Sequence, residues 1–143
     1  MKRVLLALAA ALALAGPATA QDKPNLMTVL SAEHPQTQLM AMVLTMQSVQ
    51  QGAEARVLLC GPAGDLALKE APAAATAPQK PKGMSPQGLM RKIMETGTPV
   101  EVCAIYLPNK GVDADALLDG VGQAKPPAIA SHLLADDTRI LSF

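Results

Sequence analysis

The sequence predicts a three-layer α/β fold, with a mainly parallel sheet of four to five strands and helices on both faces. Short apolar segments typical of buried strands alternate along the chain with segments whose apolar residues recur at helical spacing. This alternation favours a parallel sheet, because each crossover helix then packs on a face of the sheet. The length of 143 residues fits one domain.

The first half of the predicted domain contains two strands and one long helix. Residues 25–32 form a short apolar run, and Pro35 suits the first turn of a helix. Apolar residues then recur at helical spacing as far as Val49, and Gly52 closes the helix. Residues 55–60 predict the second strand, followed by a turn and a short helix near residues 66–69.

The second half begins with residues 71–83, a stretch rich in Ala, Pro and Lys that predicts a flexible surface loop. Ser85 and Pro86 then start a helix that ends at Gly97. Residues 100–106 contain the third strand, and Asp113 starts a short helix. A helix from residue 126 to about 135 and a strand at residues 138–143 complete the domain.

The amino terminus has the features of a secretory signal peptide. Lys2 and Arg3 precede an apolar run, and the small residues Ala18 and Ala20 form a cleavage signal. We therefore expect cleavage after Ala20, leaving residues 21–143 as a periplasmic domain without a membrane anchor. The alternative is an uncleaved anchor, although the apolar run is short for a membrane span.

Composition argues against a nucleic-acid partner. The chain has 12 basic and 12 acidic residues, so it lacks the positive footprint of a nucleic-acid-binding protein. Only Tyr106 and Phe143 are aromatic, which removes the stacking platforms of single-strand binders.

Three segments are predicted to converge at the carboxyl edge of the sheet, where open parallel sheets bind ligands. They are residues 31–34, 60–64 and 103–109, and both cysteines of the chain lie in them. Cys103 has two interpretations. If the strand runs through Tyr106, Cys103 is a small buried apolar residue. If the strand stops near Val102, a helical turn over residues 104–107 directs free amides at the sulfur and stabilises the thiolate.

The segment VEVCAIYLPNKGVDADALLDGV around Cys103 resembles the cysteine segment of the DsrE/DsrF-like family of sulfur-handling proteins. The segments GAEARVLLCGPAGDLAL and LLADDTRILSF also resemble parts of that family. The resemblance implies a small, flavodoxin-like three-layer domain that assembles into homo- or hetero-oligomers. It also implies that Cys103 carries a persulfide, exchanged with a thiol or persulfide donor or acceptor protein. This chain departs from the sulfur-relay members in its predicted export.

Cys60 is an accessory candidate, with an inert strand-end residue as the alternative. We expect a strand order of 2-1-3-4, which places the first strand between Cys60 and Cys103. The two cysteines would then lie about 9–10 Å apart, too far for a disulfide within one subunit. His34 and Tyr106 are further accessory candidates, and the alternative for His34 is a solvated helix cap.

No cofactor site is predicted, because the sequence has no phosphate loop, dinucleotide fingerprint or nucleophile elbow. Met42/Met46 and Met90/Met94 are spaced to share helix faces, so Cu(I) binding by Met and Cys is one hypothesis and core packing is the alternative. The sequence thus predicts an exported protein that handles sulfur or redox chemistry through Cys103. The main alternative is a non-catalytic periplasmic binding or assembly module with structural cysteines.

Overall fold

The computed structural model describes residues 23–143, and the predicted signal segment 1–20 lies outside the described residues. The strands are β1 (Asn25–Leu30), β2 (Glu54–Leu59), β3 (Val100–Val102), β4 (Gly122–Gln123) and β5 (Thr138–Ser142). The helices are α1 (Pro35–Gln50), α2 (Ala73–Thr76), α3 (Pro86–Met94), α4 (Tyr106–Lys110) and α5 (Pro126–Leu133). Two short 3₁₀ helices span Gly61–Ala67 and Ala114–Ala116.

The five strands form one sheet in the order β4-β3-β2-β1-β5, and every neighbouring pair is parallel. The predicted fold class is confirmed, but the predicted strand order is wrong. β2 lies between β1 and β3, and β5 pairs with the other edge of β1. Alternation of strands and helices fixes the layers, but it does not fix the direction in which each crossover steps along the sheet.

The two main helices begin where the sequence predicts them. Ser85 caps α3, because its Oγ accepts a hydrogen bond from the Gly88 amide at 3.1 Å. Pro35 and Pro86 occupy first-turn positions, where the missing amide hydrogen removes no helical hydrogen bond.

Alternating strand residues divide the sheet into two unequal faces. The α1 face packs against α1 and α3, and its core includes Leu30, Met42, Val57, Leu59, Met90 and Ile93. Within this core, the hydroxyls of Thr28 and Thr45 form a hydrogen bond of 2.7 Å that joins β1 to α1. The opposite α5 face has a small buried cluster formed by Met27, Leu58, Ala124 and Ile129.

Residues 71–83 carry more regular structure than the predicted loop. Ala73–Thr76 forms one helical turn, and Ala75 is buried in the core of the α1 face. The Gln79 amide then donates to the Met84 carbonyl at 2.9 Å. The segment therefore packs against the rest of the domain before α3 begins.

Among the helices of residues 23–143, none combines the length and apolar character needed to cross a membrane.

Candidate functional site at the carboxyl edge

Backbone hydrogen bonds place the residues that follow β2 and β3 at one edge of the sheet. The Cys60 amide donates to the Leu30 carbonyl at 2.8 Å. The Cys103 amide donates to the Leu59 carbonyl, also at 2.8 Å. Each cysteine therefore continues the hydrogen-bond ladder one residue beyond its strand, and neighbouring strand ends bring the two side chains together.

Cys60 and Cys103 form a disulfide, with Cα atoms 5.1 Å apart. The expectation that they could not pair is therefore wrong. It rested on placing β1 between β2 and β3, whereas these two strands are direct neighbours. One strand spacing of about 4.8 Å lies within the Cα distance that a disulfide spans.

The strand before Cys103 ends at Val102, as in the second of the two interpretations of this segment, and a helix follows it. β3 ends at Val102, and α4 begins at Tyr106, so the strand does not run through Tyr106. The Tyr106 amide donates to the carbonyl of Cys103 itself at 2.8 Å. Cys103 is half-buried and packs against the cores of both faces, whereas Cys60 packs only against the α5-face cluster.

A second tie joins the same two segments beside the disulfide. The Tyr106 hydroxyl donates to Asp65 Oδ1 at 2.6 Å, and Lys110 Nζ donates to the same oxygen at 2.8 Å. The Tyr106 ring lies directly on Gly64, where an added Cβ would sit 2.3 Å from the ring carbons. A side chain at position 64 would therefore displace the ring.

The surroundings of Tyr106 raise the pKa of its hydroxyl above the ordinary value. Burial is the largest cause, followed by the hydrogen bond to Asp65 and the negative charge of that carboxylate. Tyr106 thus remains a neutral hydrogen-bond donor, and it supports the disulfide edge without acting as a base at ordinary pH.

Sequence reasoning missed Asp65 and Lys110. Asp65 lies five residues after Cys60, and Tyr106 lies three residues after Cys103. Once β2 and β3 are known to be neighbours, these short segments run side by side and the contacts follow. These contacts depend on which strands are neighbours, so the incorrect predicted strand order concealed them.

The structure places His34 at a helix cap and one methionine of each pair in the core. His34 is exposed and caps α1, since its Nδ1 accepts from the Gln36 amide at 3.3 Å. Met42 and Met90 are fully buried in the core of the α1 face. Within residues 23–143, no group of three or more His, Cys, Asp or Glu side chains is arranged to hold a metal ion.

Comparison with known proteins identifies the architecture. No protein-family model matches the chain, and no curated protein sequence matches it. The crystal structure of the YchN protein from E. coli is similar with a TM-score of 0.66 and 19% identity, over 85% of this chain and 99% of that chain. MTH1491 from Methanobacterium thermoautotrophicum, a protein of unknown function, is similar with a TM-score of 0.60 and 14% identity, over 85% of this chain and 100% of that one. The chain has the DsrE/YchN-like fold.

Proposed function

We propose that this protein handles sulfur through thiol–disulfide chemistry at Cys103 and Cys60. One observation carries the proposal: both cysteines of the chain meet at the carboxyl edge of the parallel sheet and are bonded to each other. That edge is where open parallel sheets bind their ligands. The resemblance of the Cys103 segment to sulfur-handling proteins supports the same role.

The proposed cycle requires the reduced cysteine pair, so its first step is reduction of the disulfide. A dithiol reductant opens the disulfide, gives two electrons to the cysteines and closes its own disulfide. The Cys103 thiolate then attacks the outer sulfur of a donor persulfide. A new sulfur–sulfur bond forms on Cys103, the donor's bond breaks, and the donor leaves as a thiolate.

Two exits from the Cys103 persulfide follow from the chemistry. An acceptor thiolate can attack the outer sulfur, take it, and release the Cys103 thiolate. Without an acceptor, the Cys60 thiolate attacks Cys103 Sγ and expels the outer sulfur as hydrosulfide with the bonding electron pair. The second exit restores the disulfide, and Cys60 is the resolving residue that makes it possible.

Mass spectrometry of three reduced proteins tests this cycle with glutathione persulfide as the donor. The Cys60→Ser variant should gain one sulfur atom and keep it. The wild type should release hydrosulfide and return to the disulfide form, and Cys103→Ser should gain no stable sulfur. The proposal is contradicted if Cys60→Ser gains no sulfur, or if Cys103→Ser gains as much sulfur as Cys60→Ser does.

The second candidate is a non-catalytic binding or assembly module in which the disulfide is structural. The observation that favours it is the position of the bond, which is half-buried and reinforced by the Tyr106–Asp65–Lys110 contacts. This function predicts that a protein dithiol such as thioredoxin leaves the native disulfide intact. Rapid reduction of the native protein would instead favour the sulfur-handling cycle.

Export and self-assembly belong to the same proposal. Disulfides persist in oxidising compartments, so the Cys60–Cys103 bond supports a periplasmic location. Ile140 and Leu134 are 55% and 82% exposed at the α5 side of the sheet, which supports a homo-oligomer that covers them. Cell fractionation and sedimentation velocity test these two expectations. A cytoplasmic, uncleaved protein contradicts the first, and a monomer at high concentration contradicts the second.

A further inference from the structure

The helices that cover the α1 face form a surface groove, and none of its lining residues belongs to the cysteine edge. It lies between α1, residues 79–84 and α3, and has a volume of about 570 Å³. This volume falls within the roughly 300–1,000 Å³ of small-molecule sites. We call it the methionine groove, lined by Gln36, Leu39, Met40, Val43, Met46, Gln47, Gln50, Gln79, Lys80, Pro81, Lys82, Met84, Leu89 and Lys92.

The floor of the methionine groove is apolar and adaptable. Met40, Val43 and Met46 follow one another along α1, and Met84 faces them from the segment before α3. Met40 is 51% exposed, so part of this floor is open to solvent. Unbranched thioether side chains reshape easily around flexible apolar ligands.

The rim of the groove is cationic. Lys80, Lys82 and Lys92 line it, and no carboxylate side chain is among the residues of 23–143 that do. An apolar floor beside positive charges complements a molecule that is apolar along its length and anionic at one end.

We propose that the methionine groove binds an anionic amphiphile, namely an alkyl chain that ends in a carboxylate. The chain packs on the methionines, and the carboxylate meets the lysine rim. A second copy of this protein fits less well, because a two-fold contact through the groove would bring lysines against lysines. This site is independent of the cysteine chemistry.

Titration calorimetry with dodecanoate, kept below its micelle concentration, tests the proposal. Dodecanoate should bind with a stoichiometry of one. Dodecanol and dodecyltrimethylammonium, which have the same chain without the negative charge, should bind at least tenfold more weakly. Equal binding of the cationic compound overturns the proposal, since it would show nonspecific apolar adsorption.

A matched pair of variants on α1 locates the site. Met40→Glu places a negative charge on the groove floor, whereas Leu44→Glu places one at a residue that is 40% exposed on the same helix outside the groove. Met40→Glu should weaken dodecanoate binding at least tenfold, and Leu44→Glu should not change it. Equal effects of the two variants contradict the site.

Methyl NMR gives a second readout that does not depend on a variant folding. Dodecanoate should shift the methyl signals of Met40, Met46 and Met84, while Met27 on the α5 face stays unchanged. Shifts spread over both faces contradict a single site. If Met40→Glu changes only the sedimentation coefficient and not ligand binding, the groove is a subunit interface and the proposal is wrong.

Discussion

The two faces of the sheet differ in the size of the buried apolar core that packs against them. The α1 face has a broad core in which Met42 of α1, Met90 of α3 and Leu30 of β1 are fully buried. Within residues 23–143, the buried apolar cluster on the α5 face has four members, and Ile140 on the same face is 55% exposed. Most of the buried apolar core within residues 23–143 therefore lies on the α1 face, and the α5 face is the more open of the two.

The residues after β3 show this difference within one short segment. Tyr106 turns into the core of the α1 face, where it is held by Asp65. Cys103, three residues earlier, lies at the boundary of both cores and reaches Cys60 on the α5 face. The turn after β3 thus places the Tyr106 ring in the core of the α1 face and the Cys103 sulfur beside Cys60 at the α5 face.

Core truncation is the strongest way to test the contrast. Met90→Ala should cost unfolding free energy near the upper end of about 2–5 kcal/mol, because the residue is fully enclosed. Ile129→Ala should fall near the lower end of about 2–5 kcal/mol, because α5 can settle onto the sheet. Urea unfolding measures both. Equal losses would mean that the α5 face is as tightly packed as the α1 face.

Removing the disulfide tests how firmly the edge is tied. The bond joins residues separated by 43 positions, and the chain-entropy model assigns such a loop about 4 kcal/mol. The Cys60→Ser/Cys103→Ser double variant should lose up to about 4 kcal/mol in urea unfolding. Dithiothreitol should destabilise the wild type and leave the variant unchanged. A variant as stable as the oxidised wild type contradicts a stabilising role.

Tyr106→Phe sharpens the comparison at its boundary. It removes one hydrogen bond to a charged group, so the loss should be about 2 kcal/mol. Asp65 keeps its contact with Lys110, so the carboxylate is not left alone. Urea unfolding at pH 7 measures the loss, and a loss beyond that of Met90→Ala would point to collapse of the edge.

The same variant makes a prediction about pH. The folded protein raises the pKa of Tyr106 above its ordinary value near 10. Its stabilising contribution is therefore present below about pH 10 and is lost as the pH rises further, because the unfolded chain ionises first. Tyr106→Phe should flatten this decline above about pH 10. Parallel pH profiles for the two proteins contradict the assignment.

The smallest effect on stability is expected on the open face. Ile140→Lys should change the unfolding free energy by no more than about 0.5 kcal/mol, because the side chain is already exposed. The same change should dissociate an oligomer that buries this face. Unfolding and sedimentation velocity measured together separate these effects, and a large loss of stability in the monomer would contradict the open character of the α5 face.

The layers of the fold were predictable from the sequence, because its apolar periodicity distinguishes strands from helices. α1 and α3 begin at the predicted Pro35 and Pro86, whose fixed backbone marks the first turn. β4 was missed, because a strand of two residues, Gly122 and Gln123, has no apolar run to reveal it.

The candidate site was predictable only in part. Placing Cys60 and Cys103 at one edge needed only the rule that parallel strands end together. Their pairing depended on which strands are neighbours, and that is decided by how the crossovers pack against the whole sheet. The Asp65–Lys110 contact depends on the same arrangement, so no local pattern could have revealed it.

The ladder bonds at Cys60 and Cys103 have a consequence for how the redox state is recognised. Both amides are held by the carbonyls of neighbouring strands, and these bonds do not depend on the sulfur–sulfur bond. We expect the oxidised and reduced backbones to superimpose closely, with little reorganisation on electron transfer. If the backbone does not change, a partner that distinguishes the oxidised from the reduced form must contact the two sulfur atoms directly, because the shape of the domain is the same in both forms.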